Sequence, residues 1–540
     1  MKNNWHLKNL FKLKYLLLSC GFFIIIFIFI WIGQHQSSRS HLKSKACLVI
    51  QLVNEPSTLD PTYAEDGISL LLLNNLSEGL LGYNVRGELE KRLAQDYEIS
   101  PDKKCYRFYL RKDVVWSDGK PLRAEDFALA LYRALSPSYP SLLAPLLDPI
   151  EGARDYRNSM IGKNQLGIST EKNTLIIQLS KPAPYLLKLF SLPFTFPLRK
   201  DILEKNKNQW PEHAPGIGAY QCIRHQFEQK LIFKANPLYW NQKPHIKNIE
   251  FLVISSETTG LHLFEQGKLD VLWRVSPYDL SRLKKSKRIY TAPLYITYFL
   301  SFNTRIPPFH QSYWRKAFAA VIQREEIAKL LGSGAKATWS WIPKGLEGFL
   351  PKKELKKQFL EEQETVRQER FFHPEIQAGF DSGERNARIL EKIQHDILNR
   401  LGIRLKLQHF EWRSYLSQLK FSPPALFRFA WMAPFNDPIL HLRVFKTNDP
   451  NNYTGFSDPH YDALVDQIER LDSGKNRRAL VQKAQKLLLE KHAILIPIYH
   501  YVQNIGLATR VRGFKMNPFG VVNFKNLYFG NEKNDPKSNL

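Results

Sequence analysis

APGIGAYQC (Ala214–Cys222), KANPLYWNQKPHIKNIEFLVI (Lys234–Ile254) and FEQGKLDVLW (Phe264–Trp273) follow closely on one another in the middle of a 540-residue chain. The first reads as a Gly-X-Gly turn closing onto a strand. The second sets a Pro-Tyr-Trp anchor ahead of a Lys-Pro break and then alternates as a strand does. The third is a short amphipathic helix that ends at Gly267, with Leu269–Leu272 opening a buried strand. No nucleophile, metal cage or phosphate loop stands among these residues.

The same alternation of strand and helix extends in both directions. Cys47–Val53 is a short buried strand running into NEPSTLDP (Asn54–Pro61), a turn stopped by two prolines. Ile68–Leu81 is an apolar-rich helix that leads to EGLLGY (Glu78–Tyr83). Tyr106, Phe108 and Leu110 alternate with Arg107, Tyr109 and Arg111 at strand period. Asp118-Gly119 supplies a tight turn, and Ala124–Leu135 is a helix with Phe127, Leu131 and Leu135 on one face. Leu175–Leu179 and Leu186–Phe196 bring the chain back toward the first strand. Ile289–Asn303 is a long aromatic strand, broken at Pro307-Pro308 before a helix over Tyr313–Leu331. Lys344–Gln377 is charge-dense with little apolar periodicity and reads as a surface excursion. Ala387–Arg400 is an amphipathic helix stopped by Gly402, and Ile403–Leu407 is the strand after it. Helices over Asp462–Leu471 and Arg478–His492 precede a strand over Ala493–Tyr501. The fold class is α/β, and the length accommodates more than one core.

The net charge of +26 raises the question of a nucleic-acid partner. Lys and Arg are spread through every segment with Asp and Glu among them, and no basic helix or reader motif concentrates them, so no nucleic-acid binding is expected. The cysteines, Cys20, Cys47, Cys105 and Cys222, make neither a zinc knuckle nor a redox pair. One disulfide among the last three would leave an odd thiol. His225, His245 and His262 are scattered without a metal constellation, and no metal or cofactor is expected. Gly332-Ser333-Gly334-Ala335-Lys336 lacks phosphate-loop spacing, and no Gly-X-Ser-X-Gly or His-Glu-X-X-His occurs. A hydrolase is the rival reading; it would need two acids in one cleft, drawn from Asp118, Glu125, Asp126 and Asp437.

Lys2, Lys8, Lys12 and Lys14 precede an apolar run from Tyr15 to Gly33, long enough as a helix to cross a bilayer. The basic residues before it favour a cytoplasmic amino terminus, which places the rest of the chain outside the inner membrane. Three fates fit this segment: a retained anchor, a cleaved signal, or lipidation at Cys20. All three give an exported protein.

Glu55…Leu59-Asp60-Pro61, Glu78-Gly79-Leu80, Phe108…Leu110-Arg111 and Trp116-Ser117-Asp118-Gly119 stand in a fixed order with Glu125-Asp126-Phe127, Gly218-Ala219-Tyr220 and Pro237…Tyr239-Trp240. Gly267…Asp270, Phe302-Asn303, Arg315-Lys316-Ala317 and Gly402-Ile403 continue the series. With these, Cys47–Phe529 resembles the solute-binding proteins of ABC importers, in the peptide/nickel (oligopeptide- and dipeptide-binding) branch. The resemblance implies a two-lobed periplasmic-binding-protein-like fold with an extra small domain. Domain I is assembled from 47–80, 176–296 and 501–530, domain II spans 81–175 and domain III spans 297–500. Residues 1–14 form a basic amino-terminal region, 15–33 the membrane segment, 34–46 a tether and 531–540 a polar tail.

That family relation implies no catalysis. It implies a monomer that takes short peptides, or anionic murein-type peptides, between its lobes and delivers them to an ABC permease in the inner membrane. A nickel complex or haem on the same fold is the alternative ligand. Trp412, Arg428 and Trp431 match positions that line the pocket, and Tyr298 adds an aromatic wall. Where oligopeptide binders clamp the ligand's ammonium with an Asp, this chain has Pro434, and a second acidic position is Ser301. Arg274 falls where amides are usual, and Asn436 or Asp437 could replace the missing clamp. The balance implies a ligand with net negative charge or with a blocked or unusual amine end.

Overall fold

The computed structural model describes residues 46–530 apart from 140, 142, 333, 353–358 and 370–374. The expected membrane segment, most of the tether and the polar tail lie outside the described residues. In chain order the strands are β1 (Cys47–Leu52), β2 (Leu81–Tyr83), β3 (Leu89–Lys91), β4 (Ala94–Ile99), β5 (Cys105–Leu110), β6 (Ile168–Glu171), β7 (Thr174–Gln178) and β8 (Tyr220–Gln226). Then come β9 (Lys230–Ala235), β10 (Asn248–Val253), β11 (Val271–Leu272), β12 (Ile289–Phe302), β13 (Lys336–Ala337), β14 (Glu375–Asp381), β15 (Arg404–Phe410), β16 (Leu426–Met432) and β17 (Leu495–Leu507). One large sheet runs β15-β14-β16-β12-β17-β11-β1-β10-β9-β8, with β13 on β17.

The opening stretch of the sequence builds one end of that sheet. The alternating residues of β10 bury Ile249 and Phe251 against Ile50 of β1 and Phe233 of β9. The Gly216 and Gly218 turn lies so close to the backbone of Leu76 that a Cβ at either glycine would meet it at 2.6 or 2.5 Å. At the other end, the helix Glu384–Leu401 lays Ile389, Leu390, Ile393 and Ile397 on the sheet at helical spacing, and Gly402 (φ 71°) ends it.

The two ends share β12 and β17, which pair antiparallel along most of their length. The pairing breaks between Pro293 and Thr297. There the Tyr295 N–H donates to the Pro518 carbonyl (2.8 Å) and the Tyr295 carbonyl accepts from the Ala433 N–H (2.9 Å). The expected domain limits at 296/297 and 500/501 both fall inside these strands.

A separate sheet, β4-β5-β7-β6, is backed by the helix Ala124–Leu135, whose Phe127 and Leu131 are buried. A continuous apolar cluster runs from Phe108, Leu131 and Leu186 on this side to Phe435, Ile439 and Tyr461 beyond the large sheet. The two sides therefore share a dry contact.

Some elements differ from the sequence reading. The helix expected over Tyr313–Leu331 is two, Ser312–Val321 and Arg324–Leu330, because Asp396 accepts the Gln323 N–H (3.0 Å) at the break. The Lys344–Gln377 excursion contains the helix Leu360–Glu369, held by buried Val366 and by Glu369, which accepts from the Tyr313 hydroxyl and the Trp314 indole.

Asp126 offers a test of the smaller sheet. Its carboxylate accepts from the Arg123 N–H (3.1 Å) and the Trp116 indole (3.2 Å), and burial pushes its pKa up to about 6. A carboxyl raised on folding gives stability that is full below its unfolded pKa, about 3.9, and lost as pH rises through 6. Asp126→Asn is expected to be neutral at pH 4 and to gain about 1–3 kcal/mol at pH 8, read from denaturant titrations at the two pH values.

Candidate functional site

β16 carries the opening toward which both sides converge. One edge pairs with β12 from Leu426 to Met432, whereas the other meets β14 only at Leu426 and Phe427. From Arg428 to Met432 no strand pairs that second edge among the described residues.

At the start of this edge the Arg428 guanidinium pairs with Asp381 (2.6 Å) and lies 5.2 Å from the centre of the Tyr298 ring. Its side chain is only 8 % exposed, and its Nε has no hydrogen-bond partner among the described residues. Burial raises the Asp381 pKa and the facing Arg428 draws it back. The cleft in front of them is lined by four arginines, Arg274, Arg385, Arg388 and Arg428, against three carboxylates, Glu257, Asp381 and Glu384. Arg274 comes from beyond β11, on the opposite side of the cleft, with its guanidinium 3.9 Å from Glu257. Arg385 hydrogen-bonds to Tyr501, which also lines the cleft.

At the other end of the edge, Met432 and Pro434 line a small cavity of about 60 Å³ that is partly open to solvent. Its remaining walls are the helix Gly67–Leu76, the turn from Ser77 to Tyr83, Arg92, Ser191–Pro193 with Phe196, and the segment Asn517–Asn523.

The structure disperses the residues singled out in the sequence. Arg428 and Arg274 face the same cleft. Trp431 is partly buried in β16 with its indole N–H unpartnered among the described residues. Trp412 is 45 % exposed and stacks on Phe429 at 6.1 Å. Tyr298 and Ser301, expected in the pocket wall, are in the core: Tyr298 stacks on Tyr499 at 4.9 Å and supports Arg428 from behind, and the Ser301 hydroxyl donates to the Ile494 carbonyl. Asn436 and Asp437 do not supply a replacement clamp. The Asn436 N–H donates to the Tyr83 hydroxyl (3.1 Å), and Asp437, 2 % exposed, is held by Lys188 and Arg477, each at 2.6 Å. Lys188 belongs to the short helix Leu186–Leu189 across the cleft, so this pair fastens one side to the other. Arg385, Arg388, Tyr501 and Lys188 had no signal in the sequence beyond membership of charged or aromatic runs.

Residues 88–453 match the family described as bacterial extracellular solute-binding proteins, family 5. The chain belongs to this family. Family 5 proteins are solute-binding proteins rather than enzymes, and among the curated ones the oligopeptide-binding protein OppA of Bacillus subtilis is 28% identical over 98% of this chain and 100% of its own length. The solved structure of the Escherichia coli murein tripeptide-binding protein MppA superposes with a TM-score of 0.80 at 27% identity, covering 89% of this chain and 98% of that one. The unliganded open form of MppA, at 27% identity and coverage of 89% and 97%, gives a TM-score of 0.71. The fold is thus the two-lobed α/β architecture of family 5. In the large sheet β1 and β8–β11 stand on one side of β12 and β17, the side called here the first lobe, and β14–β16 on the other, the second. No helix among the described residues is long and apolar enough to cross a membrane.

Proposed function

We propose that this chain is the extracytoplasmic binding subunit of an ABC importer. It captures a short peptide or peptide-like ligand rich in carboxylates between its lobes and delivers it to a membrane permease. The observation that carries this reading is the unpaired edge of β16 with an arginine-lined cleft at one end. An extended ligand adds to that edge as a further strand, its main chain making the ladder bonds. Arg428, held rigid by Asp381 and Tyr298, offers a fork to a ligand carboxylate, and Arg274 meets it from the first lobe. Lobe closure excludes water and strengthens each polar contact, and the closed form is the one presented to the permease. The names of the similar proteins, an oligopeptide binder and a murein tripeptide binder, support the ligand class. The protein acts as a monomer held at the membrane through residues 15–33, and peptide mapping of the membrane fraction tests that attachment.

Calorimetry with a tripeptide carrying two carboxylates and with its amidated counterpart tests the binding reading. The diacid is expected to bind more tightly, and Arg274→Ala to weaken it about tenfold to a hundredfold, the worth of one charged hydrogen bond. Arg274 is half-exposed, so its loss leaves folding intact. The absence of binding heat with any peptide overturns the reading.

A further inference from the structure

The cavity beneath Pro434 has a different chemistry from the arginine cleft at the other end of the same edge. Among the described residues its lining holds one carboxylate, Glu78, and one cation, Arg92. Glu78 is committed on both oxygens: Oε1 accepts from the Tyr239 hydroxyl (2.5 Å) and Oε2 from the Trp240 indole (2.8 Å). Behind them the Lys525 ammonium donates to the Tyr239 hydroxyl at 2.7 Å, so Glu78 already has a cation within its network. Arg92 pairs with Glu90 at 2.6 Å. The next carboxylate, Asp437, lies behind Tyr83 and is saturated by Lys188 and Arg477. Among the described residues, the one carboxylate lining the cavity is thus already hydrogen-bonded on both oxygens, with a cation close behind it. The remaining wall is uncharged: apolar residues such as Leu70, Met432, Pro434 and Phe519, with amides (Asn74, Asn517) and hydroxyls among them. Pro434 itself has neither charge nor N–H.

An ammonium seated here would lose its water, meet no free carboxylate and face Arg92. Burying an unpaired charge costs several kcal/mol even after relaxation. An amide-capped end loses no charge and finds apolar contacts together with amide partners. We infer that this cavity receives an uncharged, acylated end of the ligand, so that the preferred ligand is an N-blocked peptide whose carboxylates lie at the arginine cleft. This rests on the peptide-binding reading of the same site and names its substrate class.

The test compares one tripeptide diacid with its N-acetyl form by calorimetry on the full chain in detergent. At pH 6.5 the acetylated form is expected to bind at least tenfold more tightly. Because only the neutral amine enters, the affinity of the free-amine form should rise about tenfold per pH unit up to its amine pKa, near 8, while the acetylated form stays flat. Pro434→Asp should reverse the order. Should that variant fail to fold, the wild-type pair and its pH profile still decide. Tighter binding of the free-amine peptide at pH 6.5, without a rise toward pH 8, overturns the inference and leaves the binding function standing. Failure of both forms to bind overturns the binding reading and the inference together.

Discussion

Arg477→Met is expected to lower the stability of the second lobe by about 3–5 kcal/mol, the cost of stranding a buried carboxylate. Arg477 lies between two acids, bonding Asp437 and Glu347 at 2.6 Å each, and Lys188 reaches Asp437 from the first lobe. The chain Lys188–Asp437–Arg477–Glu347 alternates in sign. Without Lys188 the second-lobe part carries one negative charge in excess; closure brings the cation that neutralises it. Lys188→Met should therefore leave the melting temperature nearly unchanged while weakening ligand binding and enlarging the solution radius. Differential scanning calorimetry and small-angle scattering separate the two effects. Equal destabilisation by both variants would mean that Lys188 belongs to folding and has no separate part in closure. Burial alone would raise the Asp437 pKa, but its two cations hold it below the usual carboxylate range. A depressed acid gives stability that is present above its unfolded pKa and lost as pH falls below it. The interlobe pair should therefore survive mild acid and fail only below the ordinary carboxylate range.

Arg133→Met is expected to cost a similar amount, about 3–5 kcal/mol, in a different place. Arg133 ends the helix Ala124–Leu135, and its guanidinium meets both oxygens of Asp60 (2.6 and 2.7 Å), the Thr62 hydroxyl and the Asn208 carbonyl. Its side chain is 3 % exposed. Asp60 closes the turn after β1, so this pair fixes the smaller sheet to the first lobe. Replacing both partners with apolar residues, Arg133→Met with Asp60→Leu, should recover much of the loss, since neither charge is then buried alone. Urea unfolding of the two single variants and the double variant measures the coupling. Additive losses would show that the pair contributes no interaction of its own.

The fold was legible where one face of an element is buried and its period is intact. Ala124–Leu135 and the helix stopped by Gly402 keep their apolar spacing, and the structure places them accordingly. β17 was read short: after Tyr501 its residues, Val502 to Leu507, lose the alternation because the strand passes from one core to the other. Of the candidate site residues read in the sequence, Arg428 and Arg274 come together in one cleft. The family resemblance points to Tyr298 and Asp437 for the pocket because an aromatic wall and an acid there suit a ligand. In the fold those same properties serve an aromatic stack and a buried ion pair. The residues that complete the arginine cleft, Arg385 and Arg388, sit one turn apart on the polar face of a helix, and only the tertiary fold turns that face toward the cleft.

Tyr295, where β12 leaves β17, is bonded through its N–H to Pro518 and through its carbonyl to Ala433. Ala433 lies between Met432 and Pro434, so a ligand bound as proposed above would be gripped beside this break between the two ends of the sheet. Leverage follows. A small difference in ligand bulk next to the break would become a much larger displacement at the outer rims. Two ligands of equal affinity would then hold the rims at different spacings. What distinguishes two such ligands would be an angle, and no equilibrium titration would reveal it.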